Sequence, residues 1–196
     1  YVSTLREAEN IEDKKVNDID REAILLSPKR ITNIVDYILE HFNQKTKRND
    51  KSYIYDIVTN VEEVASAKNR LEISKIKEKI RLSGFNSILA VQSIEMAKQY
   101  YSEFKRQQDS MPDALKLRVA TIYSFGVNDD DFDGMVDENS EDTSGLDQSS
   151  RDFLENAIRD YNKMFGTSYD TSSDKFQNYY KDVSLRMKNR EIDLLI

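Results

Sequence analysis

The densest group of chemically capable side chains is the run Asp129-Asp130-Asp131-Phe132-Asp133-Gly134-Met135-Val136-Asp137-Glu138. Asp129, Asp131 and Asp133, followed by Gly134 and Val136, match positions 1, 3, 5, 6 and 8 of a calcium-binding loop. Position 12 should bring a bidentate Glu, but Ser140 stands there and Glu141 comes one residue late. The residues before the run read as a strand, where a calcium loop needs a helix. Lacking its bidentate ligand, the run reads as an exposed acidic insertion, and no metal site is assigned.

Covalent chemistry finds no support either. His41 has no second histidine and no cysteine to build a triad or a zinc site around it. Its place late in a helix, near the negative end of the dipole, accounts for it. No GxxxxGK[ST] phosphate loop and no GxGxxG fingerprint occurs, and no residue is assigned a catalytic role. What remains is binding chemistry at Gln92-Ser93, which closes the apolar run 85–91 and opens a helix at Ile94-Glu95-Met96-Ala97. A serine there either caps the helix with its own hydroxyl or joins the first-turn amides in holding a phosphate.

Periodicity supplies the elements that position this pair. The run 85–91, between Gly84 and Gln92-Ser93, reads as a strand buried on both faces, of the kind found in parallel sheets between helices. Its C-terminal end is where open α/β sheets place ligands. Ile94, Ala97, Tyr101 and Phe104 form the buried face of the next helix, and a second strand spans 117–124, closing on Ser124-Phe125-Gly126. Past the acidic run, a helix from Ser149 or Ser150 carries Phe153, Leu154, Ala157, Ile158, Tyr161 and Phe165 and ends at Gly166. Another runs from about Ser173 through Phe176, Tyr179, Tyr180, Val183 and Met187, and residues 192–196 form a last apolar strand. Strands separated by helices imply a parallel sheet with right-handed crossovers. The aromatic residues at helical spacing (Tyr100, Tyr101 and Phe104; Phe176, Tyr179 and Tyr180) read as core, with base stacking as the functional alternative.

Upstream, residues 1–19 are polar and weakly patterned, and a short helix follows over 22–26. Ser27 as N-cap and Pro28 at the first helical position open a helix whose stripe is Ile31, Ile34, Val35, Ile38, Leu39 and Phe42. Over 53–82, Tyr53, Ile54, Ile57, Val58, Val61, Val64 and Ala65, then Ile73, Ile76 and Ile80, repeat helically, predicting one or two helices on the outside of the α/β unit. Lys68, Arg70, Lys75, Lys77, Lys79 and Arg81 make this region either a solvated basic face or a DNA-backbone surface.

The 196 residues suit one domain with an appendage. The formal charge of −7 is local: residues 129–142 hold eight of the 36 acids, leaving 28 against 29 bases. Net charge therefore excludes no anionic partner. No apolar run approaches the roughly 18 residues of a membrane span, and the sequence carries no signal peptide pattern, so the expected location is cytoplasmic. A first residue that is Tyr1, and an apolar strand at the end, lead us to expect a fragment of a longer protein.

The stretch Phe85-Asn86-Ser87-Ile88-Leu89-Ala90-Val91-Gln92-Ser93-Ile94-Glu95-Met96-Ala97-Lys98-Gln99-Tyr100-Tyr101 resembles the opening of the second RecA-like motor domain in the R subunit of type I restriction–modification enzymes. Similar to the same family are Leu117-Arg118-Val119-Ala120-Thr121-Ile122-Tyr123-Ser124, Leu146-Asp147-Gln148-Ser149-Ser150-Arg151-Asp152-Phe153-Leu154, Asp160-Tyr161-Asn162-Lys163-Met164-Phe165-Gly166 and Asn189-Arg190-Glu191-Ile192-Asp193-Leu194-Leu195-Ile196. Ser27-Pro28-Lys29-Arg30-Ile31 through His41-Phe42, and Gln44-Lys45-Thr46-Lys47-Arg48, resemble the helical connector between its two motor domains. The likeness covers roughly residues 17–196.

The resemblance implies an α/β fold: a partial RecA-like parallel sheet flanked by helices over 84–196, behind an N-terminal helical connector and packing helices over 1–83. It implies a part of an ATP-dependent DNA translocase within a type I site-specific deoxyribonuclease. Gln92 and Ser93 take the place of helicase motif IV, near the DNA backbone, and the sheet forms one wall of the nucleotide cleft. The implied partners are double-stranded DNA, the modification and specificity subunits, and the first motor domain of the same chain. ATP and Mg2+ would act in the full protein, none being bound by these residues alone, which are expected to be inactive by themselves. The competing expectation is a scaffold that docks other subunits without touching DNA.

Overall fold

The computed structural model describes residues 21–48, 50–68, 73–123 and 148–196. The polar stretch 1–19, Arg70, Ser124-Phe125-Gly126 and the calcium-like run with Asp129, Asp131 and Asp133 lie outside the described residues. In chain order the elements are α1 (Arg21–Leu25), α2 (Pro28–Lys45), β1 (Ser52–Val58), α3 (Val61–Ser66), β2 (Lys77–Ser83) and β3 (Ser87–Ile88). Then come α4 (Ile94–Gln108), β4 (Val119–Ala120), α5 (Gln148–Phe165), α6 (Ser173–Lys188) and β5 (Leu194–Leu195). Among the described residues no helix is long and apolar enough to cross a membrane.

The expected α/β architecture is present. Strands β3, β5 and β4 form a parallel sheet in that order, with Ser87 and Val119 both registered on Leu194. Hydrogen bonds carry the pairing past the short ladders: Asp193 N donates to Arg118 O at 2.9 Å and Ile122 N to Ile196 O at 3.0 Å. Strand β5 is central and buried on both sides, with Ile192, Leu194, Leu195 and Ile196 all in the core, and Val119 and Ala120 of β4 are buried as well. That corrects the reading of 85–91. Because β5 takes the centre, β3 is left at the edge, with Phe85 47% and Ile88 70% exposed.

Two apolar cores flank the sheet. Helix α2 places Ile31, Val35 and Phe42 against Met96, Ala97, Tyr100, Tyr101 and Phe104 of α4, so the periodic stripe is buried as its spacing requires. Ser27 sits at the N-cap but makes no side-chain cap bond; Pro28 at the first position and the Ile31 N to Ser27 O bond of 3.0 Å start the helix instead. The second core joins Leu154, Ile158 and Tyr161 of α5 to Phe176, Tyr179 and Val183 of α6 and to Ile192. Within it Asp182, fully buried, accepts from Tyr161 Oη at 2.6 Å and Arg186 Nε at 2.8 Å. Gly166 ends α5 with a φ of 71°, the left-handed terminus its position predicts.

Residues 53–82 are not the expected helices. Strands β1 and β2 form an antiparallel hairpin from Ser52↔Ser83 to Val58↔Lys77, and only α3, six residues long, interrupts it. The sequence Ser-Tyr-Ile-Tyr-Asp-Ile-Val is rich in β-branched and aromatic residues, which suit a pleated strand better than a helix. Its apolar positions are dense enough to satisfy a period of two as well as 3.6. The hairpin is fixed from outside: Asn189 donates to Val58 O at 2.6 Å and accepts from Val58 N at 2.8 Å, while Val61 of α3 packs with Leu185 of α6.

The end of α2 is joined to the start of the sheet. Gly84 has a φ of 66°, and its N–H donates to Lys51 O at 2.7 Å, while Phe85 N donates to Thr46 O at 2.8 Å. A Cβ on Gly84 would fall 2.4 Å from Arg48 Cα. Beside it the Arg48 guanidinium meets the Asp193 carboxylate, whose other oxygen accepts from Arg118 N at 2.8 Å.

Candidate nucleic-acid interface

Gln92 and Ser93 lie where the sequence places them, exposed, between the end of β3 and the first turn of α4. Ser93 is extended (φ −145°, ψ 160°) and its hydroxyl oxygen accepts from Met96 N at 3.2 Å, while Ala97 N donates to Ser93 O at 3.0 Å. Met96 and Ala97 are buried and fix this turn against α2. The cap takes up one of the first-turn amides; those of Ile94 and Glu95 point past the helix end, outside the intrahelical ladder. Such amides, with the positive end of the dipole, suit an anion.

The start of α5 reaches the same end of the sheet. Tyr123, just beyond β4, donates from its hydroxyl to Ser150 O at 2.9 Å, and Lys98 Nζ of α4 donates to Ser149 Oγ at 3.4 Å. Lys98 therefore links the two helix starts with a side chain only 12% exposed, and Glu95 pairs with it at 3.5 Å. Glu95 suits the bare helix end but opposes a phosphate; Lys98 supplies the compensating charge. Gln148, also exposed, donates to Asp152 at 2.6 Å. The result is a polar rim of Gln92, Ser93, Gln148 and Ser149 with one cation, suited to holding an oxyanion and lacking a nucleophile with its base.

The sequence names Ser149 as a helix start but does not point to Lys98 as its partner. The signal was available, since helices following parallel strands start at the same edge of a sheet. Of the basic residues in 53–82, Lys77, Lys79 and Arg81 are exposed and occupy alternate positions of β2, so they share one face, roughly 7 Å apart. Asp56 is registered on Lys79 in the middle of that row. Tyr100, Tyr101, Phe104, Phe176 and Tyr179 are buried, as the core reading expects, and are unavailable to stack on bases. His41 accounts for itself locally, with Nδ1 2.9 Å from Tyr37 O and its ring stacked on Tyr37 at 4.1 Å.

Fold and site together define a parallel α/β domain with polar helix starts along the C-terminal edge of its sheet. The family described as "Type I restriction enzyme subunit R domain 3" matches residues 83–196. The chain is 36% identical over 170 residues to the "Type I restriction enzyme SauMRSORF196P endonuclease subunit" of Staphylococcus aureus (strain MRSA252), covering 83% of this chain and 17% of that one. It is 35% identical over 170 residues to the SauCOLORF180P endonuclease subunit of Staphylococcus aureus (strain COL), with the same coverage. With the SsaAORF53P endonuclease subunit of Staphylococcus saprophyticus it shares 28% identity over 170 residues, covering 85% of this chain and 13% of the relative. The chain belongs to the type I restriction enzyme R subunit family. It spans about a sixth of the length of the curated relatives it matches.

Proposed function

We propose that the chain is part of the ATP-dependent DNA translocase of a type I restriction enzyme, supplying a second RecA-like motor domain with its helical connector. Residues 1–83 act as connector and packing elements, and 84–196 as the motor domain. Gln92 and Ser93 meet the backbone of double-stranded DNA, and the sheet walls one side of a nucleotide cleft. The modification and specificity subunits and a first motor domain complete the assembly, which translocates and cleaves DNA in the cytoplasm. The observation carrying this reading is the pairing of two helix starts through Lys98 beside the exposed Gln92-Ser93, in a chain of this family.

Among the described residues no group of three His, Cys, Asp or Glu is placed to hold a metal ion, and the sequence has no phosphate loop. The described residues do not fit Mg2+ and the phosphates of ATP, which we assign to the rest of the protein.

The test separates the cap from the contact. In the full-length R subunit Ser93→Asp keeps a cap acceptor, costing at most a few tenths of a kcal/mol, while Ser93→Ala loses about 1 kcal/mol of stability. An added carboxylate repels a phosphate, so Ser93→Asp is expected to lower DNA-stimulated ATP hydrolysis at least tenfold with DNA-independent hydrolysis unchanged. Gln92→Ala is expected to lower it severalfold. Unchanged DNA stimulation in Ser93→Asp would sink the assignment.

A further inference from the structure

The basic row of the hairpin takes no part in the rim around Gln92 and Ser93. Lys77, Lys79 and Arg81 are exposed at alternate positions of β2. Directly across the ladder from Lys79 and Arg81 stand Asp56 and Ile54, and residues paired in this way share one face. Ser52 and Ser83 close that face at its end, where Arg81 Nη1 donates to Ser52 Oγ at 3.2 Å. Among the described residues no carboxylate forms an ion pair with any of the three cations, not even Asp56.

The row is held in place from both ends. Asn189, just past α6, bonds both backbone groups of Val58, and Tyr53 Oη donates to Gly84 O at 3.2 Å. Tyr53, Tyr55, Ile80 and Leu82 fall at the intervening positions and face the other way. That leaves Ile54 as the exposed apolar side chain among the cations. A protein partner needs an apolar, aromatic-rich centre to its patch; this face offers cations and hydroxyls, the groups that bond phosphate oxygens and fix position without reading bases. Its cations lie roughly 7 Å apart, about two of the 3.4 Å steps between charges along one strand of a duplex.

We propose that the outer face of the hairpin is a second DNA-backbone surface, where Lys77, Lys79 and Arg81 hold duplex DNA by its phosphates, without sequence preference and without ATP. Asp56 moderates the hold. Its carboxylate stands opposite Lys79 in the middle of the row, repels phosphate, and keeps the contact weak enough for DNA to move past. The choice of duplex DNA as the polyanion rests on the translocase reading, to which this face adds a surface separate from Gln92 and Ser93.

The test is the salt dependence of duplex binding by the full-length R subunit, read by fluorescence anisotropy of a labelled duplex of arbitrary sequence with no ATP present. Each phosphate contact contributes about 0.9 to the slope of log affinity against log salt, so Lys77→Gln, Lys79→Gln and Arg81→Gln together are expected to lower it by about 2.7. Between about 50 and 200 mM salt the unsubstituted subunit then loses roughly fortyfold more affinity than the variant. Asp56→Asn, nearly unchanged in shape, is expected to tighten binding severalfold with the circular dichroism intact. Lys29→Gln, Arg159→Gln and Lys163→Gln remove the same charge from exposed positions of α2 and α5 and are expected to leave the slope unchanged. An unaltered slope in the hairpin variant would overturn the proposal, as would an equal fall in the control, which signals net charge alone. Unaltered duplex binding with lost assembly onto the modification and specificity subunits would give the face to a protein, and overturns it too. No ATP hydrolysis is read here, so this test and that of Ser93→Asp fail separately.

Discussion

Gly84→Ala measures how tightly the end of α2 is joined to the sheet. A residue with a Cβ held at a φ of 66° pays about 1–2 kcal/mol for the left-handed backbone. The new Cβ also falls 2.4 Å from Arg48 Cα and 2.9 Å from Thr46 O, backbone atoms that cannot swing aside. Relief requires Gly84 and Phe85 to draw away from 46–51, giving up the 2.7 and 2.8 Å bonds to Lys51 O and Thr46 O. At about 1 kcal/mol net for each bond, the whole change costs roughly 3–4 kcal/mol. Gly166→Ala is the control: φ is 71° there, but a Cβ meets nothing within 4 Å, so only the backbone cost of about 1–2 kcal/mol applies. With a urea dependence of about 2 kcal/mol per molar, the unfolding midpoint drops by roughly 1.5–2 M for Gly84→Ala and 0.5–1 M for Gly166→Ala. Equal shifts for the two variants would refute the close approach as the origin of the effect.

Two further outcomes follow from buried groups. Asn189→Ala strips the partners from both the N–H and the C=O of Val58, a cost of about 2–4 kcal/mol, and is expected to speed limited proteolysis within 50–83 while the helices persist; cleavage at the wild-type rate would refute it. Burial holds Tyr101, Tyr161, Tyr169 and Tyr179 above the ordinary tyrosine value, with Asp160 adding to the effect at Tyr101 and Asp182 at Tyr161 and Tyr169. The unfolded chain gives up these protons first, so their contribution is whole below about pH 10 and is lost as pH rises above it. Tyrosinate absorbance from these four is expected to appear together with the loss of circular dichroism. Full ionisation of all eleven tyrosines with the dichroism intact would contradict that assignment.

What could be read from the sequence was what local chemistry encodes. Ser93 caps α4 because its own hydroxyl reaches an amide three residues on, and Gly166 ends α5 because a left-handed backbone is cheapest without a Cβ. The α2 stripe could be read because nothing but a period of 3.6 fits it. The hairpin could not. Whether Tyr53 belongs to a helix or a strand is decided by Leu82, its partner 29 residues away, and by Asn189 capping the strand end at Val58. Nor does an apolar run say whether it lies at the centre or the edge of a sheet: 85–91 and 192–196 look alike, and only the order β3-β5-β4 separates them. The parallel topology puts the starts of α4 and α5 at one edge of the sheet, but which side chains meet there, Lys98 and Ser149, 51 residues apart, is not encoded in any spacing.

The two ends of the parallel sheet are built differently, and that gives the variants their meaning. At the N-terminal end, α2 is fastened to the strands by backbone bonds around Gly84 and by Asp193, which joins Arg48 after α2 to Arg118 before β4. Its side chain is 10% exposed, so removing the carboxylate leaves two guanidinium groups facing each other at a half-buried joint. At the C-terminal end, Gln92, Ser93, Gln148 and Ser149 are exposed and make few bonds beyond their own helix starts. A change at the first end should therefore lower stability and loosen α2 from the sheet. A change at the second should alter binding while the fold persists. A Gln92 or Ser93 variant that lost DNA stimulation only by unfolding would show that this division is false, because nothing in the packing around those side chains requires them for the core.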